Sequence, residues 1–316
     1  VSERQSANKS LKAIVTDLGG RVKKGDAFNE ALAAHPKVFS KLYIAMTRAG
    51  EESGTLADSL KVVAKQMDRS FTLQKKIKGA MIYPCIILFA IVVIGVLMMI
   101  YVVPTLAATF KQMGAELPAA TQAVISISDF MSSHVVTVFI ILILSILAII
   151  AFFRSKIGGT IVLAVALRIP VIGTLVRETY SARAARSLSS LLSSGVEMLN
   201  AIDITKEIVG DNRFGKVVEE AGVRVKKGEA LSASFIEHEK LYPVFIGEMI
   251  TVGEETGQVA GMLAQVAEYY ENDVEEGTKD LSTIIEPMLM LLIGAFVGVF
   301  AVSMIAPIYS LSSQIG

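Results

Sequence analysis

The chain has 316 residues, of which 53% are hydrophobic, and its mean hydropathy is +0.56. It is too apolar for an ordinary soluble protein, and with 19% charged residues it is too polar to lie wholly in a membrane. Lysine and arginine balance aspartate and glutamate at 30 each, so no net charge attracts nucleic acid. The single cysteine, Cys85, excludes an intramolecular disulfide and a thiolate metal cluster.

Residues 1–78 are predicted to form a helical domain. Apolar side chains recur at i, i+4, i+7, i+8 and i+11 near its end, at Leu56, Leu60, Val63, Ala64 and Met67. Glycines interrupt the pattern before that run. This spacing predicts a bundle of short helices whose last helix runs toward a membrane.

Three apolar runs without charged residues are predicted transmembrane helices, because each can cross a hydrocarbon core that needs about 20 residues. The charge-free runs are 79–110, 130–153 and the chain from Pro287 onward, and the predicted spans are residues 79–103, 134–153 and 283–307. The apolar stretch from Ile157 to Val176 is not counted, because Arg168, Pro170 and Gly173 break it into pieces too short to cross. We interpret it as a helix end and a turn.

Basic residues flank the ends of the first two spans that the positive-inside rule assigns to the cytoplasm. They are Lys65, Arg69, Lys75, Lys76, Lys78, Arg154 and Lys156. The stretch between those spans has only Lys111 as a basic residue. We therefore expect residues 1–78 and 154–282 to be cytoplasmic helical domains. Residues 104–133 are a predicted periplasmic loop, and residues 308–316 a predicted periplasmic tail.

Prolines and glycines shape the predicted spans. Pro84 and Pro287 lie where spans begin, and Pro104 and Pro307 where they end, so we expect them to set the angle between helix and membrane. Gly294 and Gly298 form a G-x-x-x-G pattern, which favours close helix packing.

The chain contains an internal repeat. A shift of 203 residues aligns Val22–Leu106 with Val225–Tyr309 without a gap. VKKGDA meets VKKGEA, and AGEESG meets VGEETG. The second copy is preceded by further helical material, Thr179–Ser193 and Val196–Ile208, joined at Gly195. We expect the first bundle to lack two such helices at its N-terminal end. The predicted fold is an all-α membrane protein with two repeated bundles and three spans.

The Gly-Glu-Glu-Ser/Thr-Gly motif is the strongest polar pattern in both copies. It comprises Gly50, Glu51, Glu52 and Gly54, and Gly253, Glu254, Glu255 and Gly257. Three interpretations stay open: a tight turn between helices, a surface that binds a partner, and a cation site. The turn would be followed by a capping box of Thr55 and Asp58.

No catalytic, cofactor or metal site is predicted. Gly210, Gly215 and Lys216 have the spacing of a phosphate-binding P-loop, but Val217 replaces the magnesium-binding hydroxyl and the preceding segment is helical. The histidines lack partners in a recognisable catalytic pattern, so surface or capping roles are expected.

The two segments that lead into the first and third spans differ in charge. We call Ser59–Lys78 the first stem and Met262–Leu281 the second stem. The first has six basic residues and one acidic residue, and the second has six acidic residues and one basic residue. One hypothesis places these stems close together, within one chain or across a dimer. The alternative is two independently solvated helix faces.

These features together resemble the type II secretion system protein F family, which includes inner-membrane platform proteins of type IV pili. The resemblance covers nearly the whole chain. It rests on the repeat, on GEESG and GEETG, on VKKGDAFNEALAAHPKVF at Val22–Phe39, on KIKGAMIYP ending at Pro84, and on RIPVIGTLV with RAARSLSSLLSSGVEML at Arg168–Leu199.

The resemblance implies a non-enzymatic protein of the bacterial inner membrane whose cytoplasmic domains engage a hexameric pilus or secretion ATPase. Its membrane part would handle pilin or pseudopilin subunits beside other inner-membrane assembly proteins. Members of the family are thought to act as dimers or higher oligomers.

The alternatives are a transporter subunit, a membrane enzyme and a signalling adaptor. The first is disfavoured because no charged residue lies well inside a span. The second is disfavoured because no nucleophile, metal set or P-loop is assembled. The helical cytoplasmic domains would permit the third.

Overall fold

The computed structural model describes residues 9–112, 118–210 and 212–315, and all regular structure within these ranges is helical. The predicted all-α fold class is therefore confirmed. The remaining residues lie outside this description: 1–8 of the first predicted domain, 113–117 of the predicted periplasmic loop, Asp211 of the second domain and Gly316 of the predicted tail.

Four helices form the first repeat: α1 (Lys9–Lys23), α2 (Phe28–Ala33), α3 (Lys41–Glu52) and α4 (Leu56–Leu97). A π-helical turn, Met98–Val102, continues α4 directly into α5 (Val103–Gln112). Three further helices follow: α6 (Ala119–Ser133), α7 (Val135–Arg154) and α8 (Lys156–Ala166).

The second half of the chain begins with a helical hairpin, α9 (Pro170–Ser193) and α10 (Met198–Val209). The second repeat follows as α11 (Arg213–Lys226), α12 (Leu231–Glu237), α13 (Val244–Thr256) and α14 (Val259–Ile315). Each of these four helices begins within one residue of the position 203 residues beyond its counterpart in the first repeat. The repeat predicted from the sequence is thus a repeat of helices.

Glycines with positive φ end helices at matching places in the two repeats. Gly25 and Gly228 have φ of 101° and 82°, and Gly54 and Gly257 have φ of 71° and 66°. Residues with a Cβ rarely adopt this conformation, so glycine allows the chain to turn sharply there. Gly195, with φ of 83°, serves the same purpose between α9 and α10.

The chain forms two compact units. The first consists of the described residues up to Lys76 together with Ala166–Gly277. Fully buried apolar side chains come from both repeats and from the α9–α10 hairpin: Met46, Val63, Leu188, Leu191, Ile202, Phe214, Phe235, Tyr242, Ile246, Ile250 and Leu263. Leu32 packs with Leu18 and Ala31 in a separate cluster of the first repeat. Burial of these side chains, at about 25 cal/mol per Å² of apolar surface, is the main stabilising contribution.

The second unit consists of Ile77–Val165 and the chain from Thr278 onward. A small apolar core forms where α5 packs on α6, with Val103, Ala107, Phe110 and Ile125 buried. The predicted periplasmic loop is therefore largely helical among its described residues. Val103, Ala107 and Phe110 are spaced i, i+4 and i+7, which explains why this segment folds as a helix.

Three helical segments are long and apolar enough to cross a membrane: Leu56–Gln112, Val135–Arg154 and Val259–Val302. Each contains one predicted span or nearly all of it. Their apolar windows are almost entirely unburied by protein, as expected for surfaces that face lipid. A fourth crossing would require α8 and α9 to act as one span, but residues 167–169 separate them, where the sequence predicts a helix end and a turn.

Candidate functional site

The first glutamate of the Gly-Glu-Glu motif caps a neighbouring helix. Glu51 Oε1 accepts the Phe28 N–H at 2.6 Å, and Oε2 accepts the Asn29 N–H at 3.0 Å. The N-cap position of α2 is occupied by Ala27, whose side chain cannot accept these groups. A carboxylate from the end of α3 therefore satisfies the free N–H groups of α2 and stabilises its positive end.

The second repeat has the same cap. Glu254 Oε1 accepts the Leu231 N–H at 2.6 Å, and Oε2 accepts the Ser232 N–H at 3.2 Å and the Ser232 hydroxyl at 2.6 Å. In both copies 23 residues separate the glutamate from the first N–H donor. That constant separation between VKKG(D/E)A and the motif is the sequence signal that could have revealed the cap.

The second glutamate of the motif faces solvent. The Glu52 side chain is 63% exposed and pairs with Arg48 one helical turn earlier, and Glu255 is also exposed. Surface pairs of this kind contribute about 0.5 kcal/mol or less. The two adjacent carboxylates therefore differ in role. Glu51 and Glu254 cap a helix within the bundle, whereas Glu52 and Glu255 face solvent and are accessible to a partner. Binding of a partner at Glu52 and Glu255 stays a prediction.

The glycines of the motif allow the turn that the sequence predicts. Gly54 and Gly257 adopt positive φ at the ends of α3 and α13, and Gly50 and Gly253 allow the following helix to approach closely. The expected capping box does not form, because the Thr55 N–H donates to the Gly50 carbonyl oxygen at 2.8 Å and the Asp58 N–H donates to the Thr55 carbonyl oxygen at 3.1 Å.

The oppositely charged stems contact each other within one chain, as one form of the hypothesis predicted. Lys76 Nζ lies 2.5 Å from Glu275 Oε2, and Arg69 lies 3.6 Å from Glu271. Arg186 of α9 forms a bidentate pair with Glu271, at 2.8 and 2.7 Å. Glu271 thus joins both repeats and the α9–α10 hairpin.

The Arg186–Glu271 pair is shielded from water, with side chains only 14% and 19% exposed. A cavity of about 90 Å³ lies beside it and is lined by Gln66, Ser187 and Arg183 among others. Bidentate geometry and partial burial make this a strong charge contact between the α9–α10 hairpin and the second repeat.

Each repeat also has a cluster of a carboxylate, an arginine and a histidine. Asp17 lies 2.8 Å from Arg21 and 2.9 Å from His35. Hydrogen bonds from Arg21 and then His35 lower the pKa of Asp17. The second repeat has Glu220, Arg224 and His238 at the corresponding positions. The histidines therefore stabilise the surface where α1 and α11 meet the turn that follows α2 and α12, a role that the sequence did not identify.

The segment that resembles a P-loop is a connection between helices. Gly210 ends α10, and the Asn212 side chain caps α11 by accepting the N–H groups of Phe214 and Gly215 at 2.9 and 3.1 Å. An added Cβ at Gly215 would overlap the Gly210 carbonyl oxygen. Close packing explains these glycines without a phosphate.

The four span prolines all lie within or at the start of helices. Pro84 lies inside α4, Pro287 and Pro307 inside α14, and Pro104 is the second residue of α5. Pro104 has no N–H and lies two residues after the end of the π-helical turn, within which the Ser128 hydroxyl donates to the Met99 carbonyl oxygen. The helix thus continues beyond Pro104, so this proline does not end it.

Gly294 and Gly298 of the third span do not pack against another helix among the described residues. An added Cβ at Gly294 or Gly298 would meet no described atom within 4 Å, so their packing against another helix stays a prediction. Gly95 of the first span is the glycine in contact, because an added Cβ would lie 3.2 Å from the Phe296 ring.

Comparison with known proteins divides the chain into two matching segments, as the internal repeat does. A family model described as "Type II secretion system (T2SS), protein F" matches residues 1–104 and 184–307. The type IV pilus assembly protein PilC of Thermus thermophilus is 33% identical over 311 residues, covering 98% of this chain and 76% of that protein. PilC of Pseudomonas aeruginosa is 31% identical, covering 98% of this chain and 83% of that protein.

Proteins of the secretion machinery are similar to the chain as well. The type II secretion system protein F of Pseudomonas aeruginosa is 29% identical over 320 residues, covering 99% of this chain and 77% of that protein. The two matched segments of the family model contain all but the last two residues of each copy of the repeat. The resemblance inferred from the motifs is therefore confirmed.

Proposed function

Because the chain belongs to the type II secretion system protein F family, we propose that it is a non-enzymatic platform of the bacterial inner membrane for type IV pilus assembly or type II secretion. Its similar relatives are named for these two machines. The platform would couple a hexameric cytoplasmic ATPase to the insertion or extraction of pilin or pseudopilin subunits.

The proposed topology has the N-terminal region and residues 154–282 in the cytoplasm. Basic residues before the first span and after the second support it through the positive-inside rule. Tagging each predicted loop with a reporter that is active on one side of the membrane tests this arrangement. A periplasmic signal from residues 1–78 would contradict it.

The proposal that the protein couples an ATPase to pilin subunits is supported by two helices that run from the stems into predicted spans. Helix α4 contains the whole first stem and most of the first predicted span, and α14 contains the second stem and the third predicted span. Both helices continue through their prolines, Pro84 in α4 and Pro287 and Pro307 in α14, so we expect a displacement of the stems to be transmitted along the helix axis. Ion pairs between the stems connect α4 to α14, so we expect a displacement of one helix to move the other.

The exposed glutamates provide the test for contact with the ATPase. We expect the double variant E52A/E255A to fold normally but to lose co-purification with the pilus or secretion ATPase and to assemble few or no fibres. These side chains form at most weak surface pairs, so their removal costs about 0.5 kcal/mol or less. Co-purification from native membranes, with fibre counting or a secretion assay, measures the effect.

The first glutamates provide the matched control. The variant E51A/E254A removes both helix caps and should lower the unfolding temperature of the protein in detergent, because a lost cap costs about 1 kcal/mol. Normal fibre assembly and ATPase binding by E52A/E255A would show that the motif has only its structural role.

A further inference from the structure

Helix α8 is short, and its sequence is apolar almost throughout. Lys156 is its first residue, and no charged residue follows until Arg168, two residues beyond its end at Ala166. Its 11 residues extend about 17 Å along the helix axis, whereas a hydrocarbon core is about 30 Å thick. The helix is therefore too short to cross a membrane.

An apolar helix of this length is typical of a protein core or of a membrane surface. Burial in a core does not account for α8, because Ile157, Ile161 and Val165 are 73%, 47% and 53% exposed. These residues are spaced i, i+4 and i+8, so they form one row along the helix. We call these three side chains the apolar row. A contiguous apolar surface of this kind indicates contact with another apolar phase.

The preceding helix brings α8 to the membrane surface. Helix α7 is a candidate span whose apolar window is not buried by the described protein, and it ends at Arg154. Only Ser155 separates its end from the start of α8. Because a chain advances at most about 3.6 Å per residue, α8 begins within about 7 Å of the point where α7 leaves the hydrocarbon.

The chain turns sharply between α7 and α8. Ser155 has ψ of 150°, and its Oγ accepts the Gly158 N–H at 2.9 Å, which caps the start of α8. An added Cβ at Gly158 would overlap the Phe152 carbonyl oxygen in the last turn of α7. In a straight helix these two residues would be about 9 Å apart along the axis. Helix α8 therefore does not continue the axis of α7.

Basic residues flank the apolar row at both ends. Arg154 precedes α8 and Arg168 follows it, and both are exposed. Long basic side chains can keep their stems in an apolar environment while their charges reach the phosphates of lipid headgroups. If α8 were inserted end-on, one of its flanking charges would lie within the hydrocarbon, which is unfavourable. Charges at both ends thus favour a helix whose two ends lie at the same depth.

We propose that α8 lies in the plane of the membrane surface, with the apolar row inserted among the lipid acyl chains just below the headgroups. Its partner is the bilayer itself, and anionic headgroups are the ligands of Arg154 and Arg168. The surface is the one at which α7 ends. The inference requires α7 to be a span, but it does not depend on a function in pilus assembly or secretion.

Tryptophan fluorescence tests the depth of α8, because the chain contains no tryptophan. The variants I157W, I161W and V165W of the full chain are placed in nanodiscs of phosphatidylcholine and phosphatidylglycerol that are brominated at one acyl position at a time. We expect all three to be quenched most by bromines near the headgroups, and to the same extent. An upright helix would separate the first and third positions by about 12 Å in depth, and such a gradient would overturn the proposal.

Two further tryptophan variants provide the matched controls. L144W lies within α7, where Leu144 is 59% exposed, and it should be quenched most by bromines placed deep in the acyl chains. V223W lies on α11, where Val223 is 48% exposed, and brominated lipid should leave its emission unchanged. Emission from I161W that matched V223W would place α8 in water and contradict the proposal.

Thiol labelling keeps the test independent of the preference of tryptophan for membrane surfaces. Gly159 lies about 160° around the helix from Ile161, and an added Cβ there would meet no described atom within 4 Å. In a C85S background in nanodiscs, we expect a membrane-impermeant maleimide to label G159C at least tenfold faster than I161C. Equal rates before denaturation would overturn the proposal. Neither readout uses pilus or secretion activity, so failure of the proposed function remains distinguishable from failure of this inference.

Discussion

Replacing Gly253 by alanine is expected to destabilise the protein strongly. An added Cβ would lie 2.7 Å from Val259 Cα and 3.2 Å from Val259 N, both backbone atoms of α14 that cannot rotate away. Relieving this overlap requires α13 and α14 to separate, at a cost of about 2–3 kcal/mol. Thermal unfolding of the chain in detergent measures the loss, and pilus or secretion assays should show loss of assembly.

Gly261 provides the matched control for this substitution. It lies in α14, and an added Cβ there would meet no described atom within 4 Å. Alanine is favoured over glycine within a helix by up to about 1 kcal/mol, so G261A should leave stability unchanged or raise it. Equal unfolding temperatures for G253A and G261A would show that the close approach of α13 and α14 does not limit stability.

Neutralising Glu271 is expected to have the second large effect. E271Q leaves Arg186, whose side chain is 14% exposed, without its bidentate acceptor and close to Arg69. Breaking a shielded ion pair from one side costs about 3 kcal/mol, because the remaining charge stays desolvated. The free energy of unfolding, and resistance of the stems to proteolysis, should both fall.

A double variant separates the charge penalty from a packing defect. R186L/E271L removes both charges and should be more stable than E271Q, since an apolar pair avoids an unpaired buried charge. The surface control E52Q should cost about 0.5 kcal/mol or less, because both members of its pair are well exposed. If E271Q and E52Q were equally stable, the stem contact would contribute no more than a surface pair.

The spans and the repeat were predictable because both depend on local patterns. Twenty apolar residues in sequence identify a membrane helix whatever surrounds them, and a register held through 85 aligned positions shows duplication without any contact being known. The segment from 104 to 133 was interpreted less well. Its position between two predicted spans suggests a loop. The i, i+4 and i+7 spacing of Val103, Ala107 and Phe110 indicates the helix that the structure contains.

The sequence predicts the turn at the Gly-Glu-Glu motif but not the helix cap that its first glutamate forms. Positive φ at Gly54 and Gly257 follows from the turn chemistry of glycine. The contact of Glu51 with the start of α2 does not, since 23 residues of folded chain must first bring α3 beside α2. The adjacent carboxylates are chemically identical in sequence, and only packing makes one a cap and the other a surface group.

A helical membrane protein with a duplicated unit and stems of opposite charge follows from the residue pattern, because apolar length, periodicity and charge are properties of neighbouring residues. What those features contact follows from the packing of the helices. That packing joined the stems within one chain through Glu271, and it buried Leu42 and Gln66 of the first repeat while leaving their counterparts Phe245 and Tyr269 exposed. Contacts between distant residues depend on how helices pack, and identical local patterns can therefore meet different surroundings.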